Sequence, residues 1–231
     1  MSPIELLYGK REAAEIQTKH LDIERAKKRD AILITGVDIL YLLYEIPMNK
    51  SRSILPESLH PSVPAIMGIT FMRAKDGPLG AFSFAFVGIA CRTGIKPRHF
   101  ILSAYSNSEP AHQFFSSQYG FPSKMANVDL KETYDETSGT IEIGNKEILD
   151  AGINDCVPLV GAGGLIKYSP AINPVQLEEA ALIQFEASYD FKRVVRGQCR
   201  TRKFSAHDLT NNLVSPSHRI AGSHAVVDLR L

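Results

Sequence analysis

The sequence contains no tryptophan and only three cysteines, Cys91, Cys156 and Cys199, in 231 residues. They lie far apart and form no C-x-x-C pair, which argues against a zinc knuckle or a dithiol redox motif and leaves reduced thiols, most of them core fillers. A charge excess is missing too: 26 Lys and Arg against 25 Asp and Glu give a formal charge of +1. That balance supplies no pull toward nucleic acid or an anionic membrane. The longest apolar stretches, around 31–46 and 82–91, are too short or too interrupted for a bilayer-spanning helix. Met1-Ser2-Pro3-Ile4-Glu5 holds no basic segment followed by an apolar one, so no secretory signal is expected. These absences describe a soluble, cytoplasmic protein with neither a nucleic-acid nor a membrane partner.

Several chemical signatures are absent as well. The seven histidines form no H-x-x-x-H or H-E-x-x-H, so neither a metal site nor a cofactor is expected. There is no G-x-S-x-G nucleophile elbow. The one glycine-rich loop, Gly161-Ala162-Gly163-Gly164, lacks both a Gly-Lys-Ser/Thr ending and G-x-G-x-x-G spacing, and reads as a turn or bulge.

What is present is ordinary globular material, 44% hydrophobic and 22% charged, of a length that suits one large domain. Ser2-Pro3-Ile4-Glu5 has a capping-box pattern, and residues 10–30 are rich in Arg, Lys and Glu, so residues 1–30 are expected to form an N-terminal helical arm. From Ala31 the texture changes to β-branched and aromatic runs punctuated by Pro, Gly, Asn and Asp. Strands are predicted near 31–35, 37–46, 64–74, 80–92, 98–106, 125–132, 138–144, 158–169, 176–203 (broken once or twice) and 219–229. A helix is predicted over 109–119, with Pro110 in its first turn and Ser106-Asn107-Ser108 as caps, and a shorter one over 208–213. Many strands with few helices indicate an α+β, mainly antiparallel β domain over 31–231, a barrel or a sandwich.

Three groups of residues carry chemical potential. Strand alternation puts Arg196, Arg200 and Arg202 on one face, able to hold a phosphate or carboxylate but equally suited to a solvated strip. His218 and His224 are the right type for a general base, although their default is a surface or strand-end position. Lys124 stands just past the turn Gly120-Phe121-Pro122-Ser123, a rigid setting that can aim its amine into a pocket, or simply leave it exposed on a loop.

The stretch Ser108-Glu109-Pro110-Ala111 to Gly120-Phe121-Pro122-Ser123-Lys124 resembles the acetoacetate decarboxylase family, whose catalytic segment runs from Glu-Pro-Ala to aromatic-Pro-Lys-Lys. From Leu79-Gly80 to Lys124 the chain lies on that family without a gap. Weaker collinear matches are Ile54-Leu55-Pro56-Glu57-Ser58-Leu59, Ile66-Met67, Leu165-Ile166-Lys167 and Ala225-Val226-Val227-Asp228-Leu229, so the resemblance covers roughly 31–231. It implies a β-barrel or cone with a few flanking helices, a carbonyl-bearing small-molecule substrate and a homo-oligomer.

In that family the first lysine of the pair attacks a ketone to form a Schiff base, and its neighbour lowers its pKa. Here Ser123 takes the first position and Lys124 the second. Two carboxylates and an arginine that the family brings to its pocket fall, by alignment, on Ala65, Phe84 and Val37. The resemblance therefore implies Lys124, Ser123 and Glu109 as catalytic candidates, and Phe84, Ala65, Val37, Tyr119 and Phe121 as the walls of a less polar pocket. Three functions follow. One is an aldol, dehydration, isomerisation or cyclisation enzyme with Lys124 as base or hydrogen-bond donor. The second is a Schiff-base lyase or decarboxylase with Lys124 as nucleophile, and the third a non-catalytic small-molecule binder.

Overall fold

The computed structural model describes residues 8–12, 31–159, 174–178, 181–184 and 187–231. The elements run β1 (Leu33–Glu45), α1 (Met48–Ile54), β2 (His60–Pro61), β3 (Ile66–Ala74), β4 (Phe82–Thr93), β5 (Lys96–Ser106), α2 (Glu109–Tyr119), β6 (Ser123–Met125) and β7 (Asn127–Glu132). They continue with β8 (Glu136–Ile143), β9 (Lys146–Pro158), β10 (Pro174–Glu178), β11 (Ala181–Gln184), β12 (Ser188–Phe204), α3 (Ala206–Thr210) and β13 (His218–Arg230). All the strands belong to one sheet, ordered β11-β10-β5-β4-β3-β1-β13-β12-β9-β8-β7, with β2 on β4 and β6 on β5. Pairing is antiparallel except where β5 meets β10 and β6. The sheet curls into a half-barrel, bringing β7 back against β3, β4 and β5. The mainly antiparallel α+β architecture expected from the sequence is what forms.

Strand alternation divides the apolar residues between two cores. Leu40, Leu42, Met67, Ile69, Phe71, Ala85 and Val87 point inward and pack with Val128, Leu130, Ile141, Leu149 and Ile153. Val37, Ile39, Met72, Phe84, Phe86, Ala225 and Val227 point outward and are covered by Ala111, Phe115 and Tyr119 of α2. β4 is buried on both faces over Phe82–Cys91. This explains why its sequence is a continuous apolar run with no alternation.

The predicted helix 109–119 forms with the same bounds. Its caps differ from expectation: Ser108 occupies the N-cap position without a side-chain cap bond, while Ser106 Oγ accepts from the Ser108 N–H and donates to its carbonyl. Asn107 Oδ1 is taken by the Ser83 N–H at 2.7 Å. The predicted 208–213 helix lies at 206–210.

Several boundaries need correction. The strands predicted at 31–35 and 37–46 are one strand whose register shifts between Ile34 and Val37, because Gly36 adopts φ 63° there and makes a bulge. The strand predicted at 125–132 is two, β6 and β7, separated at Ala126. β9 was not anticipated: Asp150, Gly152, Asn154 and Asp155 suggest a loop, yet Ile148, Leu149, Ala151 and Ile153 are buried and override those local preferences. Of the strand predicted at 158–169, Pro158 ends β9 and residues 160–169 lie outside the described residues. The Gly161–Gly164 loop, Leu165-Ile166-Lys167 and residues 1–7 and 13–30 of the N-terminal arm also lie outside them.

Candidate active site

α2 begins at Glu109-Pro110, where proline's missing N–H costs nothing, and ends at Gly120 in the left-handed conformation, φ 66°. The Gly120 N–H bonds back to Phe115 and Ser116, and the Phe121 N–H to the Phe115 carbonyl, closing the helix as glycine-ended helices do. The reversed chain then enters β6 parallel to β5, with Ser123 beside Ala104 and Lys124 beside Tyr105.

This corner sets the positions of the predicted site residues. Ser123 Oγ is 3.0 Å from His112 Nδ1 on the facing side of α2. Lys124 is exposed on β6. Glu109 is also exposed, with Oε1 accepting from Gln113 Nε2 at 2.8 Å. Phe84 is fully buried, stacked on Phe115 at 4.3 Å between ring centroids and edge-on to Phe121 at 5.5 Å. Phe121 in turn meets Phe86 and Phe115 edge-on, arrangements that ring quadrupoles favour. Val37 and Tyr119 belong to the same outer core, whereas Ala65 faces the inner one. The fold thus gathers Phe84, Phe121 and Val37 with Tyr119 of α2 in the outer core, sets Ser123 with His112 at the edge, and places Ala65 on the other face of the sheet.

A polar cluster that the sequence did not reveal lies on the inner face. Asp38 on β1 accepts from Arg73 Nη2 at 2.8 Å and faces His224 Nε2 at 3.2 Å. His224 Nδ1 is 3.5 Å from Arg193 Nη2 and 3.6 Å from Glu132 Oε1. Arg193 pairs with Glu132 at 2.6 Å, and Arg73 also donates to the Leu130 carbonyl. His224 is only 1% exposed, which overturns its expected surface or strand-end position; His218 is exposed at the start of β13. Burial alone pushes the Asp38 carboxyl up, but hydrogen bonds from His224 and Arg73 outweigh it and hold it at about 2. Asp38, Glu132 and His224 are spaced to offer three ligand atoms to a cation. Arg73 and Arg193 already neutralise both carboxylates, so the group is a closed ion network as it stands.

The signals for this cluster were charged residues inside apolar strands: Asp38 between Val37 and Ile39, and His224 before Ala225-Val226-Val227. His112 offered no signal, because nothing in a helix pattern says that its ring meets a serine eleven residues on. The arginine strip is a half-solvated strand face: Arg200 and Arg202 both pair with Glu136, and Arg202 also with Asp150.

A mainly antiparallel half-barrel with a helix-turn-strand corner on its outer face defines the class of this protein. The acetoacetate decarboxylase family model matches residues 23–155, more than half of the chain, and the protein belongs to that family. The chain is similar in fold to an acetoacetate decarboxylase, with 18% identity over 88% of each chain and a TM-score of 0.75. It is likewise similar to the acetoacetate decarboxylase of Legionella pneumophila, at 17% identity, covering 87% of this chain and 85% of that one, with a TM-score of 0.74. An enduracididine biosynthesis enzyme, MppR, solved with the condensation product of pyruvate and imidazole 4-carboxaldehyde, has 11% identity over 87% of this chain and 86% of its own, with a TM-score of 0.69. No curated protein matches the chain in sequence. None of the described helices is long and apolar enough to cross a membrane.

Proposed function

We propose that the protein is an enzyme of small carbonyl compounds that works by proton transfer, in an aldol, dehydration, isomerisation or cyclisation step, without an imine at position 123. The observation that carries this reading is the Ser123–His112 pair at 3.0 Å, standing where the family's imine-forming lysine is expected. A hydroxyl cannot condense with a ketone to a protonated imine, so that electron sink is absent from the position. A hydroxyl bonded to an imidazole can hold and pass a proton. Lys124, one residue further on, stands beside Tyr105 and so turns to the opposite face of β6; in this reading it is a separate donor that hydrogen-bonds a carbonyl oxygen as negative charge develops on it. Apolar Phe84 in place of a carboxylate removes an ionic partner suited to a small polar acid. The similar enduracididine enzyme, solved with the condensation product of pyruvate and imidazole 4-carboxaldehyde, supports a small carbonyl-derived molecule as a ligand this fold can hold.

A second reading keeps the imine on Lys124; it requires desolvation to free the amine of its proton, and the exposure of that side chain counts against it. Solvent exchange tests the first reading. With pyruvate in deuterium oxide, the protein should speed deuterium entry at the methyl group, followed by proton NMR, and His112→Ala and Lys124→Ala should each slow it by about a hundredfold, the range of a positioned acid or base. Full exchange in both variants would remove these residues from the chemistry.

A further inference from the structure

The outer face of the sheet holds a second feature at the far end of β4 from the aromatic cluster. A cavity of about 370 Å³ opens there between β1, β3, β4 and β5, above the roughly 300 Å³ at which ligand pockets begin. Tyr41, Ala90 and His99 form its buried floor, and exposed Val63, Arg92 and Pro97 form its mouth. Leu43 and Ile66 supply apolar walls, Arg92 supplies a guanidinium at the mouth, and no carboxylate among the described residues belongs to the lining.

The floor is built around one imidazole. His99 is 2% exposed, and its Nε2 lies 3.3 Å from the Tyr41 hydroxyl. Its Nδ1 is buried with no hydrogen-bond partner among the described residues, an uncommon condition for a buried polar atom. The ring fits because Gly68 and Gly88, cross-strand partners on β3 and β4, leave room for it. A Cβ at 68 would stand 2.6 Å from His99 Nε2, and one at 88 would stand 3.1 Å from His99 Cβ. Two strands therefore lack side chains at the place where a histidine is seated with one nitrogen unused. Burial lowers this imidazole to about 3, so the ring is neutral and offers a hydrogen bond rather than a charge.

We infer that this cavity binds a small organic acid with an apolar body, whose neutral oxygen meets His99 Nδ1 at the floor and whose carboxylate faces Arg92 at the mouth. Guanidinium groups match carboxylates in charge and geometry, and a buried unpaired nitrogen favours a ligand that supplies the missing bond over an otherwise identical one that does not. This site is separate from the α2–β6 corner and does not depend on the reaction proposed there.

The probe is 4-hydroxyphenylacetate, compared with phenylacetate and with the methyl ester of the hydroxylated acid. Binding to the full chain is measured by calorimetry, with the imidazole ¹⁵N signals of His99 as the local reporter. The hydroxylated acid should bind saturably and shift the His99 signals, while each comparison compound should bind at least about tenfold more weakly. His99→Phe should weaken binding by a similar factor. Val63→Trp, placed at the exposed mouth where it leaves the core untouched, should abolish binding, so the test survives even if the histidine variant fails to fold. No saturable binding, unmoved His99 signals, equal binding of the ester, or undiminished binding in Val63→Trp would each overturn the assignment. A mouth covered by a second copy of the chain, seen as a Val63→Trp change in sedimentation with no probe bound, would overturn it as well.

Discussion

The two faces of β1 and β3 treat charge in opposite ways. On the outer face, beneath α2, Val37 and Met72 join Phe84, Phe115 and Phe121 in an apolar core. One residue along each strand, Asp38 and Arg73 turn inward and pair with each other, with His224, Arg193 and Glu132 around them. A step of one residue in a strand changes the face completely. The outer position where the resemblance implies an arginine is a valine, while its neighbour belongs to an ion network that is buried at Asp38 and His224 and exposed at Arg193 and Glu132. Loss of charged groups at the aligned positions is therefore not loss of charge from the strands, and the two faces should fail by different mechanisms.

The outer face should give the largest effect. Phe115→Ala removes the ring stacked on Phe84 and should cost about 3–5 kcal/mol by opening a cavity, read as a lowered denaturant midpoint at neutral pH. A cost below about 1 kcal/mol would mean that α2 is not anchored by these rings. On the inner face, Asp38→Ala strands His224 and Arg73 without their shared carboxylate and should cost about 3 kcal/mol. An Asp38 variant as stable as the parent would show the network to be dispensable.

The faces should also differ in their response to acid. The folded Asp38 carboxyl lies at about 2, below its ordinary value of 3.8. Its stabilisation is therefore fully present above pH 3.8 and is lost as pH falls from there toward 2, by on the order of 1–2 kcal/mol. Asp38→Asn should flatten that part of the stability profile, and Phe115→Ala should leave its slope unchanged. The smallest effect belongs to the half-solvated arginine strip, where Arg202→Ala should cost less than about 1 kcal/mol and lose even that in high salt.

The sequence made legible those features in which a local rule and the tertiary structure agree. Helix 109–119 could be read from Pro110, the preceding small polar residues and the glycine that ends it. The long strands could be read from their apolar runs, and the family from a short segment around Ser123. β9 was hidden because Asp150, Gly152 and Asn154 look like loop residues until β8 and β12 pair on either side of them. The polar network was hidden because its five members come from five strands that only the curl of the sheet brings together. At the site, the sequence supplied Ser123 and Lys124 but not His112, whose meeting with Ser123 depends on the chain reversing at Gly120.

The central claim, that the reaction proceeds without a lysine imine and is not decarboxylation, is most directly tested by borohydride trapping with acetoacetate, read by peptide mass spectrometry alongside carbon dioxide release. The account predicts no reduced adduct on any lysine and no release above the buffer rate. A stable adduct on Lys124 accompanied by catalysed carbon dioxide release would contradict it.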